Sequence, residues 1–244
     1  MKVLGIIPAR YKSSRFPGKP LVKLLNKPMI IHVAEIAAKA LGQENIIVAT
    51  EDQRIAEVVE QYGFKFELTS DEHPTGTDRL WEVSSRNQAD VYINIQGDEP
   101  MIDPKDIIKI LEAKKANPKY VINGMCPLNK SEDPQNLNIP KVLFDKNKQL
   151  IYMSRLAIPG IKGEKNRNPV YWKQVCIYAF DYEQLQAYGQ AGKKAEYEYF
   201  EDIEILRFFD LGYKIKMVET SGASLAVDVP EDVVIVSKKL REKA

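Results

Sequence analysis

The chain opens on KVLGIIPA, a short apolar run with β-branched residues at its centre, and similar runs recur as NIIVAT, FKFEL and DVYINIQ. Continuous apolar blocks of this length predict strands buried on both faces. Between them the apolar positions change period. PMIIHVAEIAAKAL places Met29, Ile30, Val33, Ile36, Ala37, Ala40 and Leu41 at helical spacing, with Pro28 at its start. DQRIAEVVEQYG predicts a helix opened by Asp52 and closed by Gly63. TDRLWEVSSRNQ predicts a third, with Thr77 as N-cap, and DPKDIIKILEAKKA a fourth. Strand and helix alternating in this way predict an α/β fold with a mostly parallel central sheet flanked by helices.

The second half loses this regularity. YVINGMCPL, KVLFD, QLIYMSRL and YWKQVCIYAF predict strands with few helices between them, a β-rich extension of the sheet. Helix returns at DYEQLQAYG and at YFEDIEILRFFDLG, read as one segment; KIKMVE predicts a strand, and VDVPEDVVIVSKKLREK a loop and a closing helix. The segment 159–169, PGIKGEKNRNP, predicts a surface loop.

With 244 residues, 44% of them hydrophobic, the chain can bury a proper core. A formal net charge of +1 argues against a nucleic-acid binder, but the charge is uneven. Residues 1–40 carry Lys2, Arg10, Lys12, Arg15, Lys19, Lys23, Lys27 and Lys39 against Glu35, whereas residues 196–210 carry Glu196, Glu198, Glu201, Asp202, Glu204 and Asp210 against Arg207. A local basic site in a neutral protein points to a small anionic ligand. The two cysteines, Cys126 and Cys176, lie in apolar runs and predict buried free thiols. No apolar run approaches membrane-spanning length, and VLGII is too short for a signal-peptide core, so a cytoplasmic protein with no membrane partner is expected.

The charge is densest after the first strand, where IIPARYKSSRFPGKPL holds Arg10, Lys12, Ser13, Ser14, Arg15 and Lys19. Ligands of parallel α/β sheets bind at the carboxyl ends of the strands. Guanidinium forks, an ammonium and hydroxyl donors there suit phosphate; a solvated basic loop is the alternative. The loop is not a Walker loop, because Pro20 follows Gly18-Lys19 where Ser or Thr would stand. In NIQGDEP, Asp98 follows an apolar strand and suits Mg²⁺, while Glu99 and Pro100 read as a turn and cap. In LAVDVPEDV, Asp228 is either a second metal ligand or a helix-entry cap, and spacing leaves this open.

IPARYKSSRFPGKPL, HPTGTDR, NIQGDEP, YMSRLAIP and VDVPED, in that order over nearly the whole chain, resemble the 3-deoxy-manno-octulosonate cytidylyltransferases, or CMP-Kdo synthetases. The resemblance implies one nucleotidyltransferase domain over 1–244, with a nucleotide-binding part over about 1–120 and a sugar-acid-binding and dimerisation part over 121–220. It implies a homodimer that joins CTP to the sugar acid Kdo with Mg²⁺ and releases pyrophosphate, for lipopolysaccharide biosynthesis. Arg10, Ser13, Arg15 and Lys19 would hold the triphosphate, and Thr75, Gly76, Asp78 and Arg79 would line the nucleotide side. Asp98 and Asp228 would bind magnesium, with Lys19, Arg10 and Arg15 completing the catalytic group. Gln96, Arg155, Tyr178 and Glu204 would face the sugar acid, and so would Gln174 by its place in the pattern.

Three stretches depart from the family. Gln174, Cys176 and Tyr178 stand where His-x-Gly-x-Tyr is usual, Ile205 replaces a glutamine, and Thr75 stands where serine is common. Two of these departures fall on the sugar side, so a related acid such as amino-Kdo or sialate is an alternative substrate. A sugar-1-phosphate nucleotidyltransferase is the rival enzyme, although the first loop here is arginine-rich and glycine-poor.

Overall fold

A computed structural model describes residues 1–13, 15–164, 167–222 and 224–243. In chain order the elements are β1 (Val3–Ala9), β2 (Lys23–Leu24), β3 (Lys27–Pro28), α1 (Met29–Leu41), β4 (Ile46–Thr50), α2 (Gln53–Gln61), β5 (Lys65–Leu68), α3 (Gly76–Arg86) and β6 (Val91–Ile95). Then come α4 (Pro104–Ala116), β7 (Val121–Pro127), β8 (Lys141–Phe144), β9 (Leu150–Ser154), β10 (Trp172–Phe180), α5 (Tyr182–Gln190), α6 (Glu196–Glu201), α7 (Ile205–Asp210), β11 (Ile215–Glu219) and α8 (Pro230–Lys243).

The main sheet runs β11-β7-β10-β6-β1-β4-β5. β1 pairs in parallel with both β4 and β6, and β5 continues in parallel on β4. β10 enters antiparallel between β6 and β7, and β11 closes the edge in parallel with β7. The β-rich extension is the β8–β9 pair, attached to β10 through Lys141 and Lys173. The chain winds outward from β1 to β4 and β5, then crosses through α3 to β6 on the other side. The crevice beside β1 is therefore the switch point where such sheets bind ligands.

Alternate residues of the central strands feed two cores. Ile7, Val48 and Ile93 pack under α1, α2 and α4 through Ile30, Ile55 and Ile107. Leu4, Ile6 and Tyr92 pack under α3, α5 and α7 through Leu80, Leu185 and Phe208. A smaller third cluster joins Leu24 and Met29 to Met101, Val227 and Val236, so α8 is seated against the β2–β3 hairpin.

Asp52 caps α2 by accepting from the Arg54 amide, and Asp103 caps α4 ahead of Pro104. The cap of α3 is Thr75, not Thr77: the Thr75 hydroxyl accepts from the Asp78 amide, and Thr77 lies inside the first turn. The expected single helix over 199–212 is broken. Asp202 takes a left-handed conformation (φ 49°, ψ 48°), which ends α6 before α7 begins. Cys126 is buried, Cys176 is half-buried, and both are free thiols. Residues 160–164 are exposed as expected of the surface loop; Lys165 and Asn166 lie outside the described residues, as does Ser14 of the first loop.

Candidate active site

A cleft of about 610 Å³ opens at the carboxyl ends of β1 and β6. Arg10, Ser13, Arg15, Lys19, Thr75, Gly76, Arg79, Gln96, Asp98, Arg155, Glu204 and Asp228, all singled out in the sequence, line it. The first loop folds over this edge because Gly18, in the left-handed region at φ 71°, returns its amide to the Tyr11 carbonyl. Gly97 allows the ends of β1 and β6 to meet closely, since a Cβ there would stand 2.8 Å from the Pro8 carbonyl oxygen.

Lys19 is the centre of the charged edge. Its Nζ donates to Asp98 Oδ2 at 2.6 Å and lies 3.6 Å from Asp228 Oδ1, while Arg15 Nη2 donates to the same Asp228 oxygen at 3.0 Å. Asp98 follows β6, and Asp228 arrives on the segment that the third cluster seats, with the Val227 amide on the Asp98 carbonyl at 2.9 Å. Two carboxylates from distant segments thus share one cation. Among the described residues no third His, Cys, Asp or Glu completes a metal cluster with them. This donor set fits Mg²⁺, which takes one or two carboxylates and fills its remaining positions with water and phosphate oxygens. Glu99, next in sequence, turns away into the protein and accepts a hydrogen bond from Ser224; burial, with Asp98 beside it, pushes its carboxyl up to about 8.

Asp78 does not reach the cleft. It is 4% exposed, accepts from Thr75 Oγ1 at 2.7 Å, and pairs with Arg207, whose Nη1 and Nη2 donate at 2.7 and 3.1 Å. Arg207 also donates to both oxygens of buried Glu198, at 2.7 and 2.8 Å, and stacks over the Tyr188 ring. Burial opposes the guanidinium's charge, but its bonds to Glu198 and Asp78 outweigh that and hold its pKa above the ordinary value. Asp78 therefore supports the Thr75 wall from behind. Arg79 is nearly as buried; it donates to Thr69 and pairs with Glu51 at 3.1 Å, with one edge on the cleft.

Glu204 also has a second task. Its carboxylate accepts from the Gly76 and Thr77 amides at 3.1 and 3.0 Å and from the Thr77 hydroxyl at 2.6 Å, so it closes the N-terminus of α3 from across the cleft. Burial pushes its pKa up, and those three bonds pull it down. Arg155 lies on the wall, with its guanidinium held by the carbonyls of Glu201, Leu137 (2.9 Å) and Asp202 (2.8 Å). Gln174 and Tyr178 are not on the cleft. Gln174 donates to Asn123 Oδ1 at 3.1 Å between β10 and β7. Tyr178, 5% exposed, stacks on Phe180, and burial with Cys176 beside it holds its phenol well above the ordinary value. Tyr178 instead faces the core under α3 and α5, and the pairing of β10 with β7 shifts register between Val175 and Tyr178.

His73, Leu137, Asn138, Lys194 and Asp202 line the cleft without having been singled out in the sequence as site residues. His73 Nε2 is hydrogen-bonded to Glu82, and Lys194 Nζ donates to Asp202 Oδ1 at 2.6 Å. His73 opens the HPTGTDR string and could have been found from it; Lys194 and Asp202 carry no such signal.

The Cytidylyltransferase family matches residues 4–215. A 3-deoxy-manno-octulosonate cytidylyltransferase of Geobacter metallireducens is 38% identical, over 98% of this chain and 98% of its own. One from Escherichia coli is 38% identical over 94% and 92%. The solved structure of a CMP:2-keto-3-deoxy-manno-octonic acid synthetase complexed with CTP superposes with a TM-score of 0.91 at 36% identity, covering 100% of both chains. A 4-diphosphocytidyl-2C-methyl-D-erythritol synthase from Anaerococcus prevotii shares the fold alone, with a TM-score of 0.64 at 15% identity over 98% of each chain. With relatives of this similarity spanning its whole length, the chain belongs to the 3-deoxy-manno-octulosonate cytidylyltransferase family.

Proposed function

We propose that the protein transfers CMP from CTP to 3-deoxy-manno-octulosonate (Kdo) and releases pyrophosphate. The observation that carries this is the gathering of Arg10, Arg15, Lys19, Asp98 and Asp228 from three separate segments on one cleft at the sheet's switch point. The membership of the chain in its family supports the choice of substrates.

In this reading Arg10, Ser13, Arg15 and Lys19 hold the triphosphate, and Thr75, Gly76 and Arg79 form the nucleotide wall. The anomeric hydroxyl oxygen of the sugar acid forms a bond to the α-phosphorus as its proton leaves to water, and the bond from that phosphorus to the bridging oxygen of pyrophosphate breaks. Such a displacement needs positioning and charge neutralisation more than covalent help. Each charged donor aimed at the leaving pyrophosphate contributes on the order of 10²–10³ in rate. Magnesium, held by Asp98 and Asp228, would supply further neutralisation at the phosphates. Lys19 and Arg15, which answer these carboxylates in the free protein, turn to the phosphates when nucleotide enters. Gln96, Arg155 and Glu204 form the sugar-acid wall.

The division of labour follows the sheet: about 1–120 serves the nucleotide, and 121–220 serves the sugar acid and a homodimer contact. Ile151 and Leu156, at and just beyond β9, are exposed, as are Tyr197, Tyr199 and Phe200 of α6; the two elements join through Tyr152 and Tyr197 and through Ser154 and Glu201. Apolar side chains so placed suit a second copy of the chain. No helix among the described residues is long and apolar enough to cross a membrane. Pyrophosphate release should require CTP, Kdo and Mg²⁺ together. Release with amino-Kdo or sialate but not Kdo would reassign the acid, and release only with a sugar 1-phosphate would overturn the reading.

A further inference from the structure

The cleft holds six cationic side chains, and four already have firm work. Arg15 and Lys19 answer Asp98 and Asp228. Arg79 is buried against Glu51 and Thr69. Arg155 gives three of a guanidinium's five N–H groups to backbone carbonyls, which makes it a brace for the turn at Asp202 and for residue 137. Arg10 and Lys194 remain. Arg10 stands directly after β1 with the phosphate-side cations and forms no ion pair among the described residues. Lys194 reaches the cleft from the α5–α6 connection, on the wall that also carries Arg155 and Asp202.

We propose that Lys194 binds the carboxylate of the sugar acid, and that Asp202 holds the Lys194 ammonium in place until the substrate carboxylate replaces it. The proposal rests on the reading of the second substrate as a sugar acid. The pair is built for exchange. Lys194 is only 27% exposed, so its stem is packed and its head is already partly desolvated. Asp202 is 72% exposed, so releasing it to water costs little. One of the ammonium's three N–H groups goes to Asp202 at 2.6 Å, and Lys194 forms no other ion pair among the described residues.

The placement of Asp202 is specific. Its left-handed backbone (φ 49°, ψ 48°) is unfavourable for a residue with a side chain. Arg155 pins that turn by donating from Nη2 to the Asp202 carbonyl at 2.8 Å. A carboxylate thus waits beside Lys194 where the substrate's own carboxylate would lie. Replacing one carboxylate by another conserves the charge at this corner. A neutral sugar offers no such exchange, so the device selects for an acid.

The test is a comparison of Lys194→Met and Lys194→Arg with the wild-type protein, in pyrophosphate release with CTP, Mg²⁺ and Kdo. Loss of one charge-assisted hydrogen bond should raise the KM for Kdo about tenfold to a hundredfold in Lys194→Met. The KM for CTP and kcat should stay within about twofold, and Lys194→Arg should recover most of the loss. An unchanged KM for Kdo in Lys194→Met would overturn the proposal. So would an equal rise in the KM for CTP, which would put Lys194 on the triphosphate. A wild-type protein that turns over CTP with no sugar acid at all would overturn the underlying reading instead, and this proposal with it.

Discussion

Replacing Arg207 by methionine should destabilise the protein severely and in a pH-dependent way. Arg207 is 1% exposed and makes four bonds to the oxygens of Asp78 and Glu198, themselves 4% and 1% exposed. Methionine fills the space of the stem but leaves two buried carboxylates facing each other. Breaking a buried ion pair from one side costs about 3–5 kcal/mol. That is a large part of the roughly 5–15 kcal/mol by which a domain is stable. For a chain of this size it lowers Tm by about 6–20 °C. The sign of the pH effect follows from the stranded carboxylates. Burial and mutual repulsion raise their folded pKa values above the unfolded values of about 3.9 and 4.3. The folded variant then binds protons that the unfolded chain does not, and its stability falls as pH rises through that window. Urea melts followed by circular dichroism at about pH 5 and about pH 7.5 read this directly: the deficit against wild type should be smaller at the lower pH. A deficit below about 1 kcal/mol, or one equal at both pH values, would refute the assignment of Arg207 as the charge that makes this network possible.

Three further outcomes are expected. In a CTP titration and rate assay, Arg15→Ala and Lys19→Ala should each lose much more than Lys12→Ala, because Lys12 is 81% exposed and its ion pair with Asp71, at 3.4 Å, lies in solvent. Equal, negligible effects at all three positions would remove the first loop from the site. Asp98→Asn and Asp228→Asn should each lower the Mg²⁺-dependent rate by on the order of 10² and raise the Mg²⁺ needed for half-maximal activity, and magnesium titrations identical to wild type would separate these carboxylates from the metal. Burial pushes the Cys126 thiol up to about 11 and the Cys176 thiol higher still, so thiolate is scarce at pH 8. A disulfide reagent at pH 8 should label neither quickly in the native protein and both in urea; fast native labelling would show that this part of the sheet is open.

Strands and helices were legible because each is written locally. β1, β4 and β6 are short, mostly apolar runs that the fold buries almost throughout, and Asp52 and Asp103 cap the helices that follow β4 and β6. What the sequence hid depends on distant partners. Thr75 and Thr77 are equally good caps by chemistry. Glu204, from 127 residues away, decides between them by taking the Thr77 amide and hydroxyl. Asp78 sits in a motif string beside site residues, yet its side chain is claimed by Arg207, 129 residues on. The break at Asp202 is invisible in a run that reads as good helix, because its support is the guanidinium of Arg155 and not a local breaker. Arg15, Lys19 and Asp98 were legible as candidates because their charge follows β1 and β6, and Asp228 because it follows the apolar run LAV, which the structure leaves outside the strands.

The seat of α8 against the β2–β3 hairpin has a consequence for the order in which the protein assembles. The contact between Arg15 and Asp228 spans 213 residues of sequence, among the most non-local in the molecule. Contacts of such separation form late, after the intervening chain has closed its own loops. During synthesis the basic loop leaves the ribosome early and stays without its acidic counterpart until the last helix can dock. Until then Lys19 has Asp98 alone, and the two-carboxylate edge does not exist. The folding step that brings in Asp228 is therefore also the step that completes this edge. A chain arrested before α8 can have a nearly complete sheet and still lack the paired carboxylates of the cleft.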